Sequence, residues 1–194
     1  VISLIPLFFL FWIIVDLVIH GFTKLIEPGF LTTPPEPFYT GGGILPAIIG
    51  TIYVMIFTLI FSLPLGILSA VYLTEYAKES TITRIIRKAI TTLAAIPSIV
   101  YGVFGYAFFV LLLNLGASII SGALTLSLLT LPVIITSSQE AILAVPKSYR
   151  EASLALGASK WETIWHHVLP SAFGGILTGA ILGLGRAAGE TAPI

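Results

Sequence analysis

Two charged residues near the end of the sequence could bind an anion. Arg186 and Glu190 follow the uncharged run 168–185 and lie four residues apart, so a helix places both on one face. A charge at the centre of a bilayer costs about 2.5–3.5 kcal/mol, so such residues normally face a bundle interior or an aqueous cavity. The planar guanidinium of Arg186 matches an oxyanion, and Glu190 can neutralise Arg186 or accept a hydrogen bond from a protonated anion. A structural salt bridge near the helix end is the alternative.

A second group of residues could build a protein-binding surface between residues 146 and 170. Ser148 with Glu151, and Ser159 with Glu162, both have the S-x-x-E spacing of a capping box. In that motif the two side chains satisfy backbone N–H groups at a helix start. The spacing therefore predicts two short helices.

The turn between these two helices is also encoded locally. Gly157 can take the left-handed conformation that follows a helix end, and Pro170 is predicted to end the second helix and begin the next element. A loop that only joins two spans would need no such caps. The segment therefore predicts a rigid helix–turn–helix with Arg150, Glu151 and Lys160 exposed, a shape suited to a partner protein.

The composition places these residues in a membrane protein. Of 194 residues, 57% are hydrophobic and 9% are charged, whereas soluble domains carry about 25% charged residues. Nine Lys and Arg balance nine Asp and Glu, which leaves no basic surface for nucleic acid. The absence of cysteine excludes disulfides and thiolate metal sites. The chain is therefore predicted to be an all-α, polytopic membrane helix bundle.

The gaps between charges predict five membrane spans, since a span needs about 20 apolar residues. Lys88 and Glu140 enclose an uncharged run long enough for two spans, with a turn at Asn114-Leu115-Gly116. The predicted helices are 2–20, 45–74, 89–113, 118–138 and 171–190. The first is expected to be a retained span, because it lacks the basic start and cleavage site of a signal peptide. Missing N-terminal residues and a sixth helix beyond residue 194 are also expected.

Proline and glycine positions refine this bundle. Three prolines fall inside predicted spans and are expected to kink them: Pro64, Pro97 and Pro132. Whether they also line a cavity stays open. Three glycines recur every fourth residue in the last helix, which predicts close packing against other helices: Gly175, Gly179 and Gly183.

The distribution of Lys and Arg predicts the orientation. Loop 21–44 holds only Lys24, whereas segments 75–88 and 139–170 hold seven basic residues: Lys78, Arg84, Arg87, Lys88, Lys147, Arg150 and Lys160. By the positive-inside rule, the N-terminus and these two basic segments are cytoplasmic and loop 21–44 is external.

The run Glu151-Ala152-Ser153, Gly157, Val168-Leu169-Pro170 resembles the EAA loop of ABC importer membrane subunits, E-A-A-x3-G-x9-I-x-L-P. The spacings from Glu151 to Gly157 and from Gly157 to Pro170 both agree. Two positions depart from the pattern. Ser153 replaces an alanine and should preserve close packing, and His167 replaces an isoleucine.

The resemblance implies the type I ABC importer permease fold, with residues 1–44 as a first helix and external loop and 45–194 as the permease core. It implies that loop 139–170 couples to a cytoplasmic ATPase. The residues it assigns to coupling are Arg150, Glu151, Ala152, Gly157, Ala158, Lys160, Trp161, Leu169 and Pro170.

The implied partners are a homologous second permease subunit in a heterodimer, two ATPase subunits and an extracytoplasmic binding protein. No G-x-x-x-x-G-K-[ST] loop is present, so ATP hydrolysis is expected in a partner and the chain is not expected to be an enzyme. No cofactor or metal is expected.

The closing run from Gly185 to Pro193 is similar to the A-type membrane subunit of the phosphate (Pst) branch of this family. It implies an inner-membrane importer of inorganic phosphate with Arg186, Glu190 and Thr191 on the substrate path. A permease for sulfate or molybdate is the nearest alternative. A passive anion channel would not need the capped loop. An intramembrane enzyme is disfavoured, because Arg186 and Glu190 are the only ionisable residues deep in a predicted span.

Overall fold

The computed structural model describes residues 4–36 and 41–193, without the side chain of Leu4. The predicted helix start at residues 2–3 and residues 37–40 of the predicted external loop lie outside this range. In chain order the helices are α1 Leu4–Leu25, α2 Leu45–Val71, α3 Thr81–Ala94, α4 Ser98–Gly105, α5 Ile119–Leu143, α6 Lys147–Ala155, α7 Lys160–Thr163 and α8 Leu169–Gly189. Three π-helical stretches extend α2, α4 and α7: Tyr72–Tyr76, Tyr106–Leu112 and Ile164–Val168.

Four helical segments in the described part of the chain are long and apolar enough to cross a membrane: Ile5–Leu25, Leu45–Tyr76, Ile119–Leu143 and Lys160–Gly189. A fifth is reached when α3 and the α4 segment count as one bent span. The all-α membrane bundle is therefore confirmed. The turn predicted between two spans is confirmed as well, since Asn114 and Gly116 have positive φ of 53° and 68°.

The predicted span 89–113 is wrong as a single helix. α3 begins well before residue 89 and ends at Ala94, and the helix from Ser98 is bent from it by 101°. Pro97 lies at the break with ψ of 138°, and its ring also disfavours helical backbone at Ile96. Pro97 therefore separates two helices. Pro64 and Pro132, by contrast, lie inside α2 and α5.

The chain forms two compact units, residues 1–52 and 53–194. In the first unit, the α1 side chains from Ile5 onward are exposed, as expected for a helix whose solvent is lipid. At the end of α1, the Nζ atom of Lys24 lies 2.9 Å from Oε1 of Glu27, which follows the helix. The domain boundary predicted between residues 44 and 45 stays a prediction.

In the second unit, α5 is the central helix. Its side chains Leu126, Leu129, Ile134 and Ile142 are almost wholly buried. Polar contacts join α5 to α2, since the Ser127 hydroxyl donates to the Thr58 carbonyl oxygen at 3.2 Å. In lipid, buried hydroxyl groups need such partners because no water is available.

The glycine stripe of α8 is the surface that lies against α5. A Cβ atom on Gly179 would overlap the side chain of Ser137, and one on Gly175 would overlap Ala141. The third member, Gly183, faces Ile134. The predicted close packing of this stripe is therefore confirmed.

Candidate functional site

The turn between α6 and α7 is built as the local sequence predicts. Gly157 has φ of +87° and follows the end of α6. Its N–H donates to the Leu154 carbonyl oxygen at 3.0 Å, and the Ala158 N–H donates to the Ser153 carbonyl oxygen at 3.2 Å. These two bonds form a Schellman motif, in which a left-handed glycine reverses the chain after a helix.

The capping box that starts α7 is confirmed. The Ser159 N–H donates to Oε2 of Glu162 at 2.7 Å, and the Glu162 N–H donates to Oγ of Ser159 at 3.3 Å. The other predicted box, Ser148 with Glu151, is wrong. α6 begins at Lys147 after Pro146, so Ser148 already lies inside the helix and no side-chain cap forms. Pro146 has the extended backbone of a residue before a helix, which moves the start upstream.

The prediction that Pro170 ends the second short helix is wrong, whereas its predicted place in the first turn of the next helix, α8, is confirmed. The helix continues from Lys160 to Gly189 through the π-helical stretch Ile164–Val168. A π turn holds an extra residue and shifts the hydrogen-bond register. Because it lies directly before Pro170, which has no N–H to donate, the chain passes the proline and stays helical.

Arg150 is not displayed for a partner, which corrects the prediction that it is exposed. Its Nε and Nη2 atoms donate to Oε1 of Glu75 at 2.9 and 2.7 Å. Its Nη1 and Nη2 atoms also donate to the carbonyl oxygens of Val145 and Ile142 at 2.8 and 2.9 Å. The Arg150 and Glu75 side chains are only 19% and 11% exposed. Arg150 thus joins α6 to the ends of α2 and α5, where a cation is favourable against helix-terminal carbonyls.

Lys160 contacts the same end of α2. Its Nζ donates to the Glu75 carbonyl oxygen and lies 4.8 Å from the centroid of the Tyr76 ring. Sequence reasoning missed Glu75 and Tyr76. A signal was present, since the acidic Glu75 lies in the segment predicted to share a membrane side with Arg150.

A third contact ties α6 to α7 directly. The hydroxyl groups of Ser153 and Thr163 are 2.9 Å apart, and both residues are buried. Ser153 is the position where the EAA pattern has alanine. The small side chain preserves close packing, as predicted, and its hydroxyl group gains a partner on the second helix.

Within segment 139–170, which the sequence predicts to be a coupling loop and which keeps that name below, residues 150–170 therefore have a fixed base and an exposed tip; the coupling role stays a prediction. The base is the contact of Arg150 and Lys160 with Glu75 and Tyr76. At the tip, Leu156 is 90% exposed, the highest value among the exposed large hydrophobic residues of the described part of the chain, and it precedes Gly157. The remaining residues assigned to coupling divide by exposure: Glu151, Ala152, Gly157, Trp161 and Pro170 are exposed, and Ala158 and Leu169 are half-buried.

The exposed part of the coupling loop includes an aromatic pair. The rings of Trp161 and Trp165 stack with centroids 5.8 Å apart, and each side chain is about half exposed. Exposed large apolar groups of this kind mark surfaces that bind protein or lipid.

The second candidate site lies at the other end of α8, whose 21 residues span about 31 Å. The Nε atom of Arg186 is 3.6 Å from Oε1 of Glu190, with side-chain exposures of 37% and 18%. The predicted pairing on one face is confirmed. Thr191 follows, exposed, after α8 has ended.

The chain after α8 rests on α4. A Cβ atom on Gly102 would come within 2.9 Å of the Ala192 oxygen and of Pro193 Cα. Gly102 therefore allows a backbone-to-backbone approach that positions the segment after Arg186. An adjoining cavity of about 480 Å³ is lined in part by Ser121 and Thr125, whose hydroxyls already donate to main-chain carbonyls. Arg186 does not line it.

Residues 62–194 match the family model described as the inner membrane component of binding-protein-dependent transport systems. The chain belongs to this family. The matched residues include α3 to α8, and so the coupling loop and the Arg186–Glu190 pair. α1 lies outside the match.

Family members with curated names support the same assignment. The chain is 41% identical over 178 residues to a probable ABC transporter permease protein, YqgI, of Bacillus subtilis, covering 92% of this chain and 60% of the relative. It is 36% identical over 199 residues to the phosphate transport system permease protein PstA 1 of Mycobacterium tuberculosis, covering 100% and 64%. For PstA of Yersinia pestis the identity is 36% over 188 residues, covering 97% and 63%. The chain therefore spans about three fifths of the length of these relatives.

The fold of the family is shared with solved importers. A chain of the MetNI methionine ABC transporter matches with a TM-score of 0.61 at 23% identity, covering 76% of this chain and 68% of that chain. At this identity the likeness shows the fold alone, and the ABC importer permease fold predicted from the EAA loop is confirmed.

Proposed function

We propose that the chain is the membrane-spanning permease subunit of an ATP-driven importer of inorganic phosphate in the cell inner membrane. The coupling loop is the observation that carries this proposal. A loop that receives force from a partner needs an exposed tip and a base fixed to the spans. Leu156 and Gly157 supply the tip, and Arg150 fixes the base.

A separate ATPase binds the coupling loop from the cytoplasm. Its contact surface is the exposed set Glu151, Ala152, Leu156, Gly157 and Trp161. Two ATPase subunits, a homologous second permease subunit and an extracytoplasmic phosphate-binding protein complete the importer. The basic segments 75–88 and 139–170 support a cytoplasmic coupling loop, because Lys and Arg are enriched on that side.

Movement of the coupling loop reaches the spans through its base. Arg150 and Lys160 hold the end of α2 at Glu75, and Arg150 also holds the end of α5 at Ile142. Because α5 packs along the glycine stripe of α8, a displaced loop shifts α2, α5 and α8 together. Packed helices of this kind move as rigid elements with discrete arrangements.

Phosphate passes the far end of α8. Arg186 offers a guanidinium that is 37% exposed, and its pair with Glu190 at 3.6 Å is loose enough for an anion to compete. Glu190 neutralises Arg186 between transport events and accepts a hydrogen bond from a protonated phosphate, which sulfate does not offer at neutral pH. The names of the PstA relatives support phosphate as the cargo.

The direct test is uptake of labelled phosphate into vesicles that contain the chain with its second permease subunit, ATPase and binding protein. We expect ATP-dependent uptake that excess sulfate does not inhibit. Uptake of labelled sulfate or molybdate in place of phosphate would assign another oxyanion to the permease. Uptake that continues without ATP would indicate a passive channel instead.

A further inference from the structure

α3 has one face fixed to the rest of the second unit. Thr83 is buried and its hydroxyl donates to the Lys78 carbonyl oxygen at 2.9 Å. One turn later, Nη2 of Arg87 donates to the Leu73 carbonyl oxygen at 2.6 Å. Because both contacts lie on one side of the helix, they fix its rotation about its axis. The two remaining faces of α3, one apolar and one basic, therefore point in fixed directions.

The second face of α3 is apolar and exposed. Ile82 and Ile85 are 70% and 60% exposed, and Ala89 and Leu93 continue the same stripe down the helix. The spacing is that of an amphipathic helix. In water such a stripe would be costly, since burial of apolar surface is favourable by about 25 cal/mol per Å².

The third face is polar and basic. Arg84 and Lys88 lie four residues apart and are exposed, and Thr91 extends the face toward the helix end. Neither cation has an ion pair within residues 4–36 and 41–193. A helix with an apolar stripe beside a basic stripe has the pattern of an interfacial membrane helix.

The bend at Pro97 gives α3 the direction that such a helix needs. The segment Ser98–Leu112 is apolar and exposes Ile99 and Val103, as a helix in lipid does, and α3 departs from it at 101°. Ser98–Leu112 is long enough to cross a membrane only together with α3, but a helix bent by about a right angle from a segment that enters the membrane runs near the membrane plane. The inner side of the bend is a groove of about 390 Å³ lined by apolar side chains that include Leu93, Phe104 and Leu128.

We propose that α3 lies in the membrane surface at the coupling-loop end of the bundle and binds anionic phospholipid through Arg84 and Lys88. The stripe of Ile82, Ile85 and Leu93 enters the acyl region, and an acyl chain fills the groove at the bend. Lipid is favoured over a protein partner by charge complementarity. Two unpaired cations beside an apolar stripe match a phosphate headgroup above an acyl chain.

The depth of α3 can be measured directly, because the chain has no cysteine of its own. Ile85→Cys and its control Thr91→Cys are spin-labelled in the assembled complex, in nanodiscs of equal parts phosphatidylcholine and phosphatidylglycerol. We expect the label at 85 to be accessible to oxygen and protected from an aqueous nickel reagent, and the label at 91 to show the reverse. A label at 85 that is as open to nickel as the label at 91 would overturn the proposal. So would a label at 85 protected from both reagents, because a protein partner would then cover the stripe.

The headgroup contact needs a second readout. A fluorophore at Ile85→Cys, the position expected to lie in the acyl region, is quenched by brominated phosphatidylglycerol or brominated phosphatidylcholine, and the ratio gives the lipid preference beside α3. We expect Lys88→Gln to lower the preference for phosphatidylglycerol about five-fold. The matched control is Lys147→Gln, which removes another exposed lysine and should leave the ratio unchanged. Equal ratios for the two variants would contradict headgroup binding. Both readouts are independent of whether the chain transports phosphate.

Discussion

The two ends of α8 hold their charges in different ways. At the coupling loop, Arg150 bonds to the Glu75 carboxylate and to two carbonyl groups at the end of α5, and its side chain is 19% exposed. At the other end, Arg186 is 37% exposed and meets Glu190 of its own helix segment at 3.6 Å. The first arginine joins elements that are far apart in sequence. The guanidinium of the second arginine is exposed enough to exchange Glu190 for an anion.

This difference assigns separate roles to two arginines that look alike in the sequence. A buried ion pair is destabilising to break, by about 3 kcal/mol or more, because one charge is left without a partner. A partly exposed pair contributes about 0–1 kcal/mol. The contact of Arg150 with Glu75 therefore stabilises the coupling-loop end of α8, and its loss should unfold local structure. The Arg186–Glu190 pair at the other end can be altered with little effect on folding.

The largest expected effect on stability comes from Arg150→Gln. The change leaves Glu75 without its cation and removes the hydrogen bonds to Val145 and Ile142, so we expect the free energy of unfolding in detergent to fall by about 3 kcal/mol. Denaturant titration followed by far-UV circular dichroism measures it. Lys147→Gln, in the same helix but exposed, should change stability by less than about 0.5 kcal/mol. Equal free energies of unfolding for the two variants would show that the contacts of Arg150 do not stabilise the structure.

Gly179→Ala should cause the second-largest loss of stability, because the added Cβ overlaps Ser137 on α5. Overpacking of this kind costs about 2 kcal/mol. Gly174→Ala is the control, since no atom lies within 4 Å of a Cβ at that position. There the gain in helix propensity should stabilise the chain, by about 1 kcal/mol at most. The unfolding temperatures of both variants are compared with that of wild type. A Gly179→Ala variant as stable as wild type would contradict close packing of α8 on α5.

Gly157→Ala should have a smaller effect, confined to the coupling loop. A Cβ at Gly157 meets no atom, so the cost is backbone strain at φ of +87°, about 1 kcal/mol. Hydrogen exchange of the Ala158 and Leu154 region should rise while that of α5 is unchanged. Gly185→Ala, in an equally open position within α8, should not alter exchange in the loop. A loop that exchanges as slowly as wild type would show that the left-handed turn is not required.

Local rules were sufficient where the determinants lie within a few residues. The α2 span, the Gly157 turn and the Ser159 cap follow from hydropathy, from a glycine after a helix and from a four-residue motif. The same rules misplaced the start of α6. Ser148 has the right spacing with Glu151, but Pro146 starts the helix earlier and so competes successfully with the capping box.

Contacts between distant residues were beyond these rules. Glu75 and Arg150 are far apart in sequence, and only the packing of α2 beside α5 brings them together. The break at Pro97 was hidden for a different reason. Residues 89–113 carry no charge, so the gaps between charges do not distinguish one long span from two helices bent by 101°.

Arg186→Gln should have the smallest effect on folding and the largest on transport. Because Arg186 pairs only with nearby Glu190, we expect its loss to change the free energy of unfolding by less than about 0.5 kcal/mol. The decisive measurement is therefore ATP-driven uptake of labelled phosphate per assembled complex, with Lys78→Gln as the control that removes an exposed cation elsewhere. We expect loss of uptake for Arg186→Gln, with wild-type amounts of co-purified ATPase, and full uptake for the control. Wild-type uptake by Arg186→Gln would contradict this expectation and make the pair a structural salt bridge.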